Sequence, residues 1–218
     1  MEFTIFGSNG FIGRNLVEAI KKKGYYCFCP VREYKYDKSK NLGHVIYAIG
    51  LTSDFREKPF ETVEAHVCKL KEILKNCNYE SFLYLSSTRV YSKVDSGSEY
   101  ENLKINPNNF DDIYNISKVL GESLCLSIPN KKVRVIRISN VIGNNFSSNN
   151  FLYSVIKDAI LNKRIFLAQS MNIRRDYITI DDVIYLIMKI IFGKNRLYNV
   201  ASGNSISNRS MLNFISEK

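Results

Sequence analysis

The sequence predicts an α/β protein built on a doubly wound parallel sheet, and three observations carry that reading. Short apolar runs alternate with amphipathic stretches along the chain, the order expected of parallel strands joined by covering helices. The run at 44–49 is apolar after His44, as befits an interior strand buried on both faces. A glycine-punctuated turn also separates the first strand from the first helix. With 218 residues, the chain can bury one substantial core and a small appended lobe.

The first strand is Phe3-Thr4-Ile5-Phe6, and Gly7-Ser8-Asn9-Gly10-Phe11-Ile12-Gly13 follows it directly. Gly7 can take backbone angles that a side chain forbids, Gly10 lets a pyrophosphate approach the main chain, and Gly13 lets the helix sit close on the strand. The free N–H groups of the helix start then face an anion. Strand before and helix after make this a Rossmann-type dinucleotide-binding turn. A helix over 11–23 ends at Gly24, and strands follow at 25–31 and 44–49. Between them, 32–43 is polar, lysine-rich and too short for a helix plus a strand, so one crossover is abbreviated there.

A helix over 59–76 starts at a proline and carries Val63, Val67, Leu70 and Leu74 on one face, suited to a core or a dimer seam. Then come a strand at 82–86, a polar loop, a helix over 111–127 and a strand at 133–138. Residues 144–150 look like a flexible linker, and two short strands and three helices beyond them would form a small second lobe. The expected division is a dinucleotide-binding domain, 1–143, and a substrate lobe, 144–218, interwoven with it.

The net charge of +10 is compatible with nucleic acid, a membrane surface, a small acidic ligand or simply a solvated lysine-rich surface. Lys21-Lys22-Lys23 ends the first helix, where cations suit the dipole. No basic stripe interleaved with aromatics appears, so nucleic acid is not the expected partner. The longest apolar stretch, 178–192, is interrupted by Asp181 and Asp182 and falls short of a membrane span. With a strand beginning at once in place of a leader, a cytoplasmic protein is expected. Cys27, Cys29, Cys68, Cys77 and Cys125 show no metal-ligand spacing, so reduced thiols and no metal are expected.

Tyr114 and Lys118 stand one helical turn apart on the same face. A phenol of pKa near 10 needs a nearby cation before it can work as an acid-base group at neutral pH, and the lysine is placed to supply one. The strand ending Leu83-Tyr84-Leu85-Ser86-Ser87 delivers hydroxyls to the carboxyl edge, where open parallel sheets bind ligands. Ser87 could hold a substrate oxygen while Tyr114 moves its proton.

Six segments in order give the chain its resemblance. They are Gly7 to Gly13; Ser86-Ser87-Thr88-Arg89-Val90-Tyr91; Tyr114-Asn115-Ile116-Ser117-Lys118; Arg137-Ile138-Ser139-Asn140-Val141-Ile142-Gly143; Arg175-Asp176-Tyr177-Ile178 with Asp181-Asp182-Val183; and Tyr198-Asn199-Val200-Ala201-Ser202-Gly203. Together they resemble the extended short-chain dehydrogenase/reductases, the nucleotide-sugar epimerase, dehydratase and ketoreductase family. The resemblance implies Ser87 as the catalytic hydroxyl, with Ser86 the nearby alternative, Tyr114 as the acid-base and Lys118 as the residue that binds the nicotinamide ribose and tunes the tyrosine. It further implies a cofactor cradle of Gly7, Asn9, Gly10, Phe11, Ile12, Gly13, Ala48 and Gly50. Thr88, Asn140 and Arg175 become substrate-binding residues, the last two toward the nucleotide diphosphate. The bland alternatives are that Asn140 caps a turn and that Arg175 pairs with Asp176. A homodimer through the 59–76 and 111–127 helices and a role in surface-polysaccharide sugar synthesis are also implied.

Three departures narrow the expectation. The second strand is expected to end at Val31-Arg32 rather than at an acidic residue, which favours NADP(H) over NAD(H), with Glu33 as the alternative if the strand end shifts. Thr88-Arg89 replaces the Asp-Glu pair of 4,6-dehydratases, so elimination lacks its acid and base. That leaves reduction of a nucleotide-linked keto-sugar, or epimerisation with tightly bound NAD. His66 stands where relatives often have asparagine, as a core histidine or a functional one. A non-catalytic dinucleotide sensor or a scaffold is the competing class, and Tyr114→Phe would discriminate it.

Overall fold

A computed structural model describes residues 1–129, 131–144, 151–162, 165, 167 and 169–216. The chain begins with β1 (Glu2–Phe6) and α1 (Phe11–Lys22). Helix α1 closes with the N–H of Gly24 on the Lys21 carbonyl at 2.9 Å and that of Tyr25 on Ile20 at 3.2 Å. This is a Schellman ending, and it needs the positive φ of Gly24, +74°. Strand β2 (Tyr26–Phe28) and β3 (His44–Tyr47) follow, joined by residues 29–43 without a helix.

The single helix expected over 59–76 is present as α2 (Pro59–Val63), a π turn (Glu64–Cys68) and α3 (Lys69–Asn76) in direct succession. Strand β4 (Ser81–Ser87) runs into a 3₁₀ turn (Thr88–Tyr91), and a second one (Phe110–Asp112) leads into α4 (Ile113–Ser127). The chain continues through β5 (Val133–Ile138), β6 (Asn140–Ile142), α5 (Phe151–Asn162), β7 (Arg174–Thr179) and α6 (Ile180–Ile190). It ends with β8 (Leu197–Val200), β9 (Ser205–Ser207) and α7 (Asn208–Ser216).

Six strands form one all-parallel sheet in the order β2-β1-β3-β4-β5-β8. The doubly wound fold class is therefore as expected. Strand side chains alternate between two cores. Phe3, Ile5, Ile46, Leu83, Leu85, Ile136 and Ile138 pack with Leu16 and Ile20 of α1 and Val183 and Ile187 of α6. Phe6, Val45, Tyr47, Phe82, Tyr84, Val133 and Val135 pack with Leu70 and Ile73 of α3 and Cys125 of α4. Strand order reverses between β1 and β3, and the crevice outside their carboxyl ends is where such sheets bind ligands.

Two elements differ from the sequence reading. Strand β2 stops at Phe28 rather than Val31, because Pro30 has no N–H to continue a ladder. Among the described residues beyond 150 there are three strands rather than two, and β8 joins the main sheet beside β5. The others, β7 and β9, form a small sheet with β6, in the order β6-β7-β9. The stretch at 145–150, expected as a linker, lies outside the described residues. Among the described residues, no helix is long and apolar enough to cross a membrane.

Candidate active site

The glycine loop fits tightly against its neighbours. Gly7 has φ +86°, and a methyl group there would lie 2.7 Å from the Ala48 backbone; one on Gly13 would lie 2.1 Å from the Gly7 carbonyl oxygen. Both contacts are shorter than any side chain tolerates, so β1, β3 and α1 can meet only with glycine at both positions. A methyl group on Gly10 would meet only the Gly7 oxygen, at 3.4 Å, which leaves this side of the loop open. Helix α1 starts there without a side-chain cap and with no acidic residue in its first turn. Its first N–H groups and dipole can therefore receive an anion. Asn9 is exposed and Phe11 and Ile12 half-buried at the same helix start. This cradle fits a dinucleotide.

Ser86 and Ser87 separate by strand alternation. The Ser86 hydroxyl turns inward and donates to Glu122, whose carboxylate forms a buried pair with Arg137 at 2.6 Å. Ser87 accepts the Arg89 N–H at 3.2 Å, and its hydroxyl lies near the Tyr114 side chain. Burial holds the Tyr114 phenol above its ordinary pKa, while the neighbouring Ser87 hydroxyl and the charge of Arg89 pull it down. Arg89 is thus a cation that acts on the Tyr114 phenol.

Lys118, one turn along α4, is 4% exposed and donates to the Leu85 carbonyl at 2.9 Å. Burial pushes its ammonium down to about 7, opposed by Glu122. A methyl group on Gly50 would lie 3.4 Å from Lys118 Nζ and 3.2 Å from His66 Nε2, so glycine at 50 leaves room where the two nitrogens converge. His66 lies in the π turn, fully buried, with Nδ1 2.8 Å from the Ser117 hydroxyl. Its ring meets Tyr114 edge-on at 5.2 Å. Burial, then the Lys118 charge, depress its pKa to about 2, so the imidazole is neutral.

The structure thus brings Ser87, Tyr114 and Lys118 together, with His66, Arg89 and Phe55 around them. Tyr114 lies 5.3 Å from the Phe55 ring, centre to centre. Phe55 and Glu122 carried no sequence signal, since each depends on contacts made across the fold.

The other candidates lie apart from this cluster in their contacts. Thr88 is half-buried in the turn after β4. Asn140 donates to the Asp176 carbonyl at 2.9 Å, tying β6 to β7. Arg175 does not pair with Asp176; it donates to Asn208 at 2.5 Å and to Gln169 and lies 4.1 Å over the Phe151 ring. Asp176 instead accepts from Ser139 and Ser202. Arg32 is exposed in a turn beyond β2 and makes no ion pair among the described residues. All five cysteines are free, and no described cluster of three His, Cys, Asp or Glu residues could hold a metal. A groove of about 560 Å³ between α1 and α6, lined by Phe3, Tyr25, Ile184 and Met188, contains none of the candidate residues.

Residues 45–201 match a sequence model described as the NAD dependent epimerase/dehydratase family. No curated protein sequence matches the chain. Among solved structures, MoeE5 in complex with UDP-glucose and NAD superposes with a TM-score of 0.80 at 17% identity, covering 100% of this chain and 81% of that one. RMD from Pseudomonas aeruginosa complexed with NADPH gives 0.75 at 21% identity, covering 100% and 82%. A tyrosine-to-phenylalanine mutant of UDP-glucuronic acid 4-epimerase from Bacillus cereus gives 0.78 at 20%, covering 100% and 84%.

Proposed function

This chain belongs to the NAD dependent epimerase/dehydratase family, and on that premise we propose that it is a ketoreductase of nucleotide-linked keto-sugars. The observation that carries this reading is the convergence of Ser87, Tyr114 and Lys118 beside Gly50, at the carboxyl edge of the sheet. A nicotinamide dinucleotide, when bound, supplies the hydride. The chain's own residues do the rest. The glycine loop and the α1 start hold the dinucleotide's diphosphate, and Gly50 leaves space beside Lys118. Ser87 holds the substrate oxygen, and Tyr114 delivers its proton to that oxygen. In this reading Lys118 takes a ribose hydroxyl.

The similar structures include complexes with NAD and with NADPH, which supports a nicotinamide dinucleotide in general. The preference for NADPH rests on Arg32, exposed and without an ion pair among the described residues. Asn140, Arg175 and Thr88 would bound the nucleotide-sugar, and exposed Phe60, Phe110 and Leu120 support a homodimer through α2–α3 and α4. Sedimentation would test that dimer, which a monomeric mass contradicts. Thr88 and Arg89 offer no carboxylate for elimination, which favours reduction over dehydration.

The test is direct. Freshly purified protein is mixed with NADPH and a panel of nucleotide keto-sugars while nicotinamide absorbance is followed. Stoichiometric oxidation of NADPH with one sugar is the expected result. Copurified NAD, with an isomerised sugar and no net absorbance change, would make the protein an epimerase instead.

A further inference from the structure

Beside Tyr114 stands a guanidinium that pairs with no carboxylate among the described residues. Arg89 is half-buried in the turn after β4. Its central carbon lies 5.4 Å from the centre of the Tyr114 ring and 4.7 Å from that of Phe55, itself 1% exposed. The nearby carboxylates are engaged elsewhere: Asp111 pairs with Arg56 and Asp112 with Lys93. Among the described residues, the Arg89 side chain has no hydrogen bond and no ion pair; only its backbone is engaged, the N–H by Ser87 and the carbonyl by the Ser92 N–H.

The aromatic rings offer their π faces to the cation, but its planar fork of N–H donors is left without acceptors. A second guanidinium, Arg56, lies 4.5 Å from the centre of the same Phe55 ring. Burial and Arg56 both work against the Arg89 charge. A half-buried, unpaired cation is costly unless an anion meets it. A carboxylate matches the guanidinium fork in a bidentate geometry.

Resting on the reading of Ser87 and Tyr114 as the reacting centre, we propose that Arg89 determines specificity by receiving a carboxylate on the sugar, so that the substrate is an acidic, uronate-type nucleotide sugar. The sugar is the better source of the anion than the substrate's diphosphate, because Arg89 is anchored by Ser87 and stacked on Tyr114, the two groups that handle the reacting oxygen. That diphosphate falls instead to Asn140 and Arg175, on β6 and β7.

The experiment uses the full chain saturated with NADP⁺, or NAD⁺ if that binds more tightly. Calorimetry compares sugar pairs that differ only at carbon 6, UDP-glucose with UDP-glucuronic acid and GDP-mannose with GDP-mannuronic acid, alongside UDP and GDP alone. In one pair the acid should bind about tenfold or more tightly than its neutral twin. That advantage should fall below about twofold in Arg89→Gln and be partly kept in Arg89→Lys, with dinucleotide affinity unchanged as the check on folding. Equal binding of the twins overturns the proposal, as does an advantage that survives in Arg89→Gln. Equal weakening of the acid, its twin and the bare nucleotide in Arg89→Gln would assign Arg89 to the diphosphate and overturn it too. Failure of every nucleotide and sugar to bind would overturn the ketoreductase reading along with it, whereas binding without acid preference removes the Arg89 assignment alone.

Discussion

The crevice between β1 and β3 and the small β6-β7-β9 sheet are built by different means. In the first, backbone meets backbone: methyl groups on Gly7 and Gly13 would fall 2.7 and 2.1 Å from main-chain atoms, and Tyr114, Lys118 and His66 are each buried to 5% exposure or less. In the second, polar side chains do the joining. Asp176 gathers Ser139 and Ser202, and Arg175 reaches Asn208 and Gln169. Steric contacts and buried charge allow little substitution, whereas partly exposed hydrogen bonds can be exchanged for water at modest cost. The first region should therefore be brittle and the second tolerant.

The largest expected effect lies in the pair beneath the reacting centre. Glu122 and Arg137 are 3% and 4% exposed, and removing one partner leaves an uncompensated buried charge. Glu122→Ala should lower stability by about 3–5 kcal/mol in urea denaturation. A loss below about 1 kcal/mol would match a surface pair and remove the contrast between the regions.

Gly13→Ala comes next. Its methyl group must push α1 away from the Gly7 carbonyl, which should cost about 1–3 kcal/mol of stability and weaken dinucleotide binding in calorimetry. Unchanged binding would show that the loop yields more readily than its contacts imply.

His66 sharpens the comparison through pH. Its folded pKa of about 2 lies below the 6.5 of the free side chain, so the unfolded chain gains a proton that the folded chain refuses. Stability should fall as pH drops below that unfolded value, by up to about 1.4 kcal/mol per pH unit. His44, also depressed by burial, adds to the same slope. His66→Asn should therefore flatten the dependence between about pH 6.5 and pH 5 without abolishing it. An unchanged slope would mean that His66 titrates freely in the folded protein.

Arg175→Ala, in the tolerant region, should cost least, about 0.5–1.5 kcal/mol, and leave dinucleotide affinity unchanged while weakening nucleotide-sugar binding. A stability loss as large as that of Gly13→Ala would dissolve the distinction.

The brittle region is also the more legible one in the sequence. A loop that needs glycine at Gly7 and Gly13 announces itself by spacing, and the Tyr114–Lys118 separation places both residues on one face of α4. Apolar runs mark β1, β3, β4 and β5 because each lies between two cores. Strand β8 is hidden: it has four residues, includes Asn199, and gains its place by pairing with β5 far back along the chain. The end of β2 reads too late because apolar Val31 suggests continuation, while Pro30 breaks the ladder. Arg89 shows in the sequence only as the absence of a carboxylate, since its stacking on Phe55 and Tyr114 joins residues from three separate segments.

The central claim, that this crevice is a hydride-transfer site with Tyr114 as its acid, is tested most directly by comparing wild type with Tyr114→Phe in both turnover and dinucleotide affinity. Turnover of NADPH with the accepted keto-sugar should fall by about 10²–10⁴-fold while dinucleotide affinity stays the same. Full turnover in Tyr114→Phe would contradict the account.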